Sequence, residues 1–147
     1  MTNMALTPLA EEELDTLVSI AISRAEVLDD MQSPAAVDAW AEVMAYEERL
    51  SAITSPAEIT GGIARVGAVR AALAAGQRSE ASHLAAQYLA ESALPDERRT
   101  AIERVFQQDQ DSRARRFPAL AKGGRLAELD KWRATASGRP RVFPLAA

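Results

Sequence analysis

The sequence predicts an all-α protein, a compact bundle of five or six helices with an extended C-terminal tail, and three observations carry that expectation. A capping side chain precedes proline at Thr7-Pro8, Ser33-Pro34 and Ser55-Pro56. That pairing marks a helix start, because the cap oxygen accepts an orphaned N–H and a proline at the first helical position has no N–H to lose. Between these points apolar residues recur every three or four positions, the spacing of one helical face. Aromatic residues supply only 5% of the chain against 48% hydrophobic residues in all, so alanine fills much of the interior and helices must approach closely. The 147 residues suit a single domain, expected over residues 1–137, followed by a tail over 138–147.

The first helix is expected from Thr7 to about Asp30, with Leu14, Leu17, Val18, Ala21, Ile22, Ala25 and Leu28 on its apolar face. Glu11, Glu12 and Glu13 in its opening turn complement the positive end of the helix dipole. The second runs from Ser33 to about Ile53 and buries Val37, Trp40, Val43, Met44 and Leu50. Glu47 falls on or beside that side and reads as a border residue paired with Arg49 or Arg24. The third opens on Ser55-Pro56, with Glu58 reaching back as in a capping box, and places Ile59, Ile63, Val66, Val69 and Leu73 together. Gly76 stands where a left-handed residue ends a helix. A fourth helix follows from Ser79, with Leu84 and Tyr88 inward, and a fifth from Pro95 to Arg116, with Ile102, Val105 and Phe106 inward. A sixth, RLAELDKWRATAS, is expected after Gly123-Gly124, and Pro140 and Pro144 then hold the last residues extended.

Gly61-Gly62 leaves two alternatives. If the glycines stay helical, Gly62 and Ala68, Ala71, Ala72 and Ala75 form a small-residue surface against a neighbouring helix. If they turn, the segment 55–76 resembles a helix-turn-helix unit whose second helix carries Arg65 and Arg70, a resemblance that implies DNA reading. Small-residue packing is the preferred reading. The string around Gly76 resembles the turn of a tetratricopeptide repeat, which implies a helical hairpin; no second copy at that period occurs. Glu80 and His83 match the Glu-x-x-His pair of ferritin-like di-iron helices, yet Glu80 lies in a first turn, away from mid-helix, and no metal site is expected.

Charge is distributed unevenly along the chain. Residues 1–60 hold twelve acidic residues against Arg24 and Arg49, a balance of −10. Residues 111–147 hold nine basic residues against three acidic ones, a balance of +6. The absence of cysteine excludes disulfides and thiolate sites and fits a reducing cytoplasm. No apolar run is long enough to span a membrane, and no membrane partner is expected. No phosphate loop, dinucleotide fingerprint or hydrolase elbow occurs, and one histidine without cysteine gives no nucleophile and base pair, so neither an enzyme nor a cofactor is expected. The expectation is a non-enzymatic protein-interaction protein (adaptor, assembly or regulatory) that also self-associates, with Arg139, Arg141, Val142, Phe143 and Leu145 of the tail meeting a partner. The alternative is a DNA-binding protein that uses Arg65 and Arg70, or the basic region of Arg113, Arg115, Arg116, Lys122 and Arg125, against phosphates.

Overall fold

A sixteen-residue segment, Ile59–Ala74, is small or apolar except at Thr60, Arg65 and Arg70, and a helix of that composition is stable only when most of its surface is covered. The computed structural model, which describes residues 2–116, covers all of it but one strip, where Ile59, Ile63, Arg70 and Ala74 are exposed. Five helices occur in order: α1 (Thr2–Asp30), α2 (Ala36–Ala52), α3 (Ile59–Ala74), α4 (Arg78–Leu89) and α5 (Asp96–Arg116). The described residues contain no strand, and the protein is all-α. The chain divides into two units, Met1–Gln107 and Gln108–Ala147, so the division falls inside α5. The expected sixth helix and the tail lie outside the described residues.

Three clusters build the core of the first unit. Leu14 and Val18 of α1 meet Leu50 of α2 and Ala64 of α3. Ala21 and Ala25 of α1 meet Ala39 and Val43 of α2 and Ala71 of α3. On the other side of α3, Val66, Val69 and Leu73 pack with Leu84 and Tyr88 of α4 and Ile102 and Val105 of α5. The alanines in the first two clusters let α1, α2 and α3 lie close, as the thin aromatic content requires. Outside those clusters the α1–α2 pair is tied by Arg24 to Glu42 at 3.0 Å and by the Trp40 indole donating to Asp29 at 2.7 Å.

Gly61 and Gly62 are both inside α3 and both buried, which decides for close packing and against a turn. A methyl group on Gly61 would run into the Ser55 carbonyl, and one on Gly67 would run into the Glu47 carboxylate. Gly76 does end α3: its φ is +76°, Gly76 N–H donates to Leu73 and Gln77 N–H donates to Ala72, the paired bonds of a Schellman cap. The same pair of bonds closes α1, where Gln32 occupies the left-handed position at φ 55°.

Several element boundaries and faces differ from expectation. α1 begins at Thr2, so Pro8 lies inside it rather than at its start. Ser55-Pro56 starts a single turn and not α3: Ser55 Oγ accepts from Ala57 N–H, and Glu58 is extended (ψ 153°) before the helix begins at Ile59. α4 begins at Arg78, with Gln77 as its N-cap residue in place of Ser79. Val37, Ile59 and Ile63 were expected inward and are exposed, because the core side of α2 is set by Ala36, Ala39, Val43 and Leu50 and that of α3 by Val66, Val69 and Leu73. Glu47 is no border residue: it is only 4% exposed, and neither Arg24 nor Arg49 pairs with it, since Arg24 binds Glu42 and Arg49 lies on the exposed side of α2.

Candidate functional site

Two features of the first unit could bear function, a polar cleft and an outward row on α1. The cleft, about 260 Å³, is lined by Glu48 and Ser51 from the end of α2, Thr54 just beyond it, Arg65 from α3, Gln87 and Tyr88 from α4, and Glu91. Its floor is the Arg65 guanidinium, which makes five hydrogen bonds: to both Glu91 carboxylate oxygens (2.6 and 3.2 Å) and to the carbonyls of Gly61 (2.9 Å), Ser51 (3.0 Å) and Thr54 (3.1 Å). Its Cζ also lies 5.6 Å from the centre of the Tyr88 ring. The residue is 4% exposed. Arg65 therefore satisfies carbonyls left over at the end of α2 and fastens α3 to the segment after α4. Arg99 does the same for the end of α4, donating to the carbonyls of Leu89 (2.6 Å), Glu91 (2.6 Å) and Leu94 (3.2 Å).

Burial pushes the Tyr88 phenol above its usual range. The adjacent Ser51 hydroxyl offsets part of that rise, although its geometry falls short of a hydrogen bond and Ser51 Oγ stays buried without a partner. Burial, then the nearby Glu80 carboxylate, raise Glu48, and His83 opposes them. At the α2–α3 interface burial raises Glu47 to about 7, with Arg70 opposing the rise and Asp15 adding to it. The cleft is smaller than the roughly 300–1,000 Å³ of pockets that enclose drug-sized ligands. Its one cation is engaged by the fold, so its chemistry is that of a structural clamp.

This geometry removes Arg65 from the set of residues able to meet a nucleic acid. Arg70 is exposed on α3, and Arg113 and Arg115 are exposed near the end of α5. Arg116 is the last residue of α5; Lys122, Arg125 and the tail residues Arg139, Arg141, Val142, Phe143 and Leu145 lie outside the described residues. His83 is exposed, and among the described residues no group of three or more histidine or carboxylate side chains is placed to hold a metal ion. Nor is any helix among them long and apolar enough to cross a membrane.

The second feature escaped the sequence reading. Leu17, Ile20 and Val27 of α1, and Met31 one residue past its end, are exposed, Ile20 by 60%, Val27 by 55% and Met31 by 68%. Their spacing, with Arg24 between Ile20 and Val27, alternates three and four residues, which is the a/d pattern of a coiled-coil seam. The row spans about 21 Å at 1.5 Å per residue. The signal was present in the sequence, but it lies beside the core row of Leu14, Val18, Ala21 and Ala25, and Leu17 was assigned to that row. No family model matches the chain, and no curated protein and no solved structure matches it either.

Proposed function

We propose that this is a non-enzymatic protein-interaction protein, adaptor, assembly or regulatory in role, that engages a helix of its partner through the outer row of α1. The observation that carries this reading is the exposure of Leu17, Ile20 and Val27 in seam register on one face of a 29-residue helix, with Met31 continuing the row just past its end. Large apolar side chains aligned this way lose a hydration cost when a second helix covers them. A role in nucleic-acid binding would have to do without Arg65 and rest on exposed Arg70, Arg113 and Arg115 together with Arg116, Lys122 and Arg125. The test is photo-crosslinking in the producing cell, with benzoylphenylalanine placed at Ile20 or, as control, at exposed Ser82 on α4. The reading expects protein adducts at Ile20 well above those at Ser82, whether to a foreign chain or to a second copy. Equal yields at both positions, or none at either, refute it.

A further inference from the structure

Independently of the α1 row, we propose that the cleft beside Arg65 receives a primary alkylammonium group. Ser51 carries the argument. It lines the cleft, is 3% exposed, and its Oγ is buried with no hydrogen-bond partner. A buried hydroxyl in that state carries a desolvation penalty, which a polar group entering the cleft removes. The adjacent Tyr88 phenol places a second hydroxyl in the same cleft. Charge then selects the ligand. Two carboxylates, Glu48 and Glu91, line the cleft against one cation, and that cation, Arg65, is spent on Glu91 and three carbonyls. Among the described residues no side chain hydrogen-bonds or ion-pairs with Glu48, which is left as an acceptor. Burial and then the neighbouring Glu80 hold its carboxyl above the ordinary range against the opposing His83, a rise that a cation alongside would reverse. An anion is therefore repelled. A metal ion lacks ligands, since among the described residues no group of three or more histidine or carboxylate side chains is placed to hold one. An ammonium brings three N–H donors, which suit hydroxyl and carboxylate oxygens alike. Ala52 and Leu84 add an apolar wall for a short alkyl chain, and about 260 Å³ suits such a chain and not a drug-sized body. Both a free alkylamine and a lysine side chain carry this group, and the test separates them.

The test is an amide NMR titration of the full chain at constant ionic strength with n-butylammonium, n-butanol, butyrate and Nα-acetyl-lysine methylamide. n-Butylammonium is expected to shift the amides of Glu48, Ser51 and Tyr88 selectively and saturably, with the roughly millimolar affinity that about five heavy atoms can supply. The isosteric alcohol and the anion are expected to leave them unmoved. Glu48→Gln should weaken binding about tenfold, because a charge-assisted contact is lost. Glu26→Gln, exposed on α1 and equal in its change of net charge, should not. Ser51→Ala should weaken binding without lowering the urea midpoint, which separates a ligand contact from a structural one. Tyr88→Phe, which keeps the ring beside Arg65, should also weaken it. If the lysine compound matches n-butylammonium, the group arrives on a polypeptide; if only n-butylammonium binds, the ligand is a free amine; either result supports the site. The absence of saturable shifts at the cleft, an equal response to butanol or butyrate, or binding that ignores Glu48→Gln overturns the proposal and leaves Ser51 to a bound water.

Discussion

Adjacent glycines in one helix offer the sharpest test of how α3 is packed. Replacing glycine by alanine inside a helix contributes about 1 kcal/mol of stability when nothing is displaced. At Gly61 something is displaced. The new methyl would collide with the Ser55 carbonyl oxygen and lie 2.7 Å from its carbon, a backbone group that cannot rotate away. The turn at 55–58 would have to shift, and with it the Thr54 and Gly61 carbonyls that Arg65 binds. Overpacking of this kind costs about 1–3 kcal/mol, and straining the Arg65 bonds adds about 1 kcal/mol, so Gly61→Ala should destabilise the fold by about 1–3 kcal/mol after the propensity gain is subtracted. At Gly62 the nearest atoms are Cγ, Nε and Cδ of Arg98, at 3.0, 3.1 and 3.2 Å. That side chain is flexible and half-buried, and its ion pair with Glu97 is long, 3.8 Å, so it can yield. Gly62→Ala should fall between neutral and about 1 kcal/mol stabilising. Urea unfolding followed by circular dichroism, with unchanged m values, reads the difference directly. Equal midpoints for the two variants would refute the packing of α3 against the 55–58 turn.

Three further outcomes are expected. The Glu47 carboxyl has a folded pKa of about 7 against 4.5 when unfolded, so the native state binds the extra proton. Its contribution is complete below about pH 4.5 and is lost as pH rises through 7, at most about 3 kcal/mol for that shift. The stability of the wild type relative to Glu47→Gln should therefore rise between pH 8 and pH 5, and a pH-independent difference would contradict the burial of Glu47. Gln32 holds a left-handed conformation at φ 55°, which costs a side-chain-bearing residue about 1 kcal/mol. Gln32→Gly should raise the unfolding midpoint by a corresponding amount, and a drop would mean that the α1 cap is made differently. Arg65→Met should destabilise by about 3 kcal/mol, because Glu91 and three carbonyls lose their donor, and Arg65→Lys should recover only part, since an ammonium cannot reproduce the bidentate fork.

The elements legible in the sequence were those written in a single strand of residues. Gly76 could be read as a helix end because one residue type tolerates its backbone, and α5 could be read from Pro95 and the acidic first turn of Asp96 and Glu97. Glu47 and Arg65 could not be placed, because the space each occupies is made by another helix. Glu47 is accommodated by the missing side chain of Gly67, and Arg65 by carbonyls at the end of α2 and a carboxylate after α4. Periodicity reports which residues share a face, and says nothing of what the opposite face lacks. The outer row of α1 was hidden for the opposite reason, since two apolar rows lie side by side on one helix and merge into one broad stripe.

That second row follows from the same composition that built the core. α3 is buried over most of its surface, and α1 meets it through Ala64 and Ala71 rather than through large side chains. Close packing of this kind lets α1 cover its neighbours with a narrow face: Leu14, Val18, Ala21 and Ala25 suffice. A wider interface would have needed bulk on α3, where glycine and alanine admit none. Leu17, Ile20, Val27 and Met31 are therefore in excess of what the fold can absorb, and no rotation of α1 would bury them without exposing the inner row. These apolar residues, in seam register and unused by the core, are what the proposed interaction rests on.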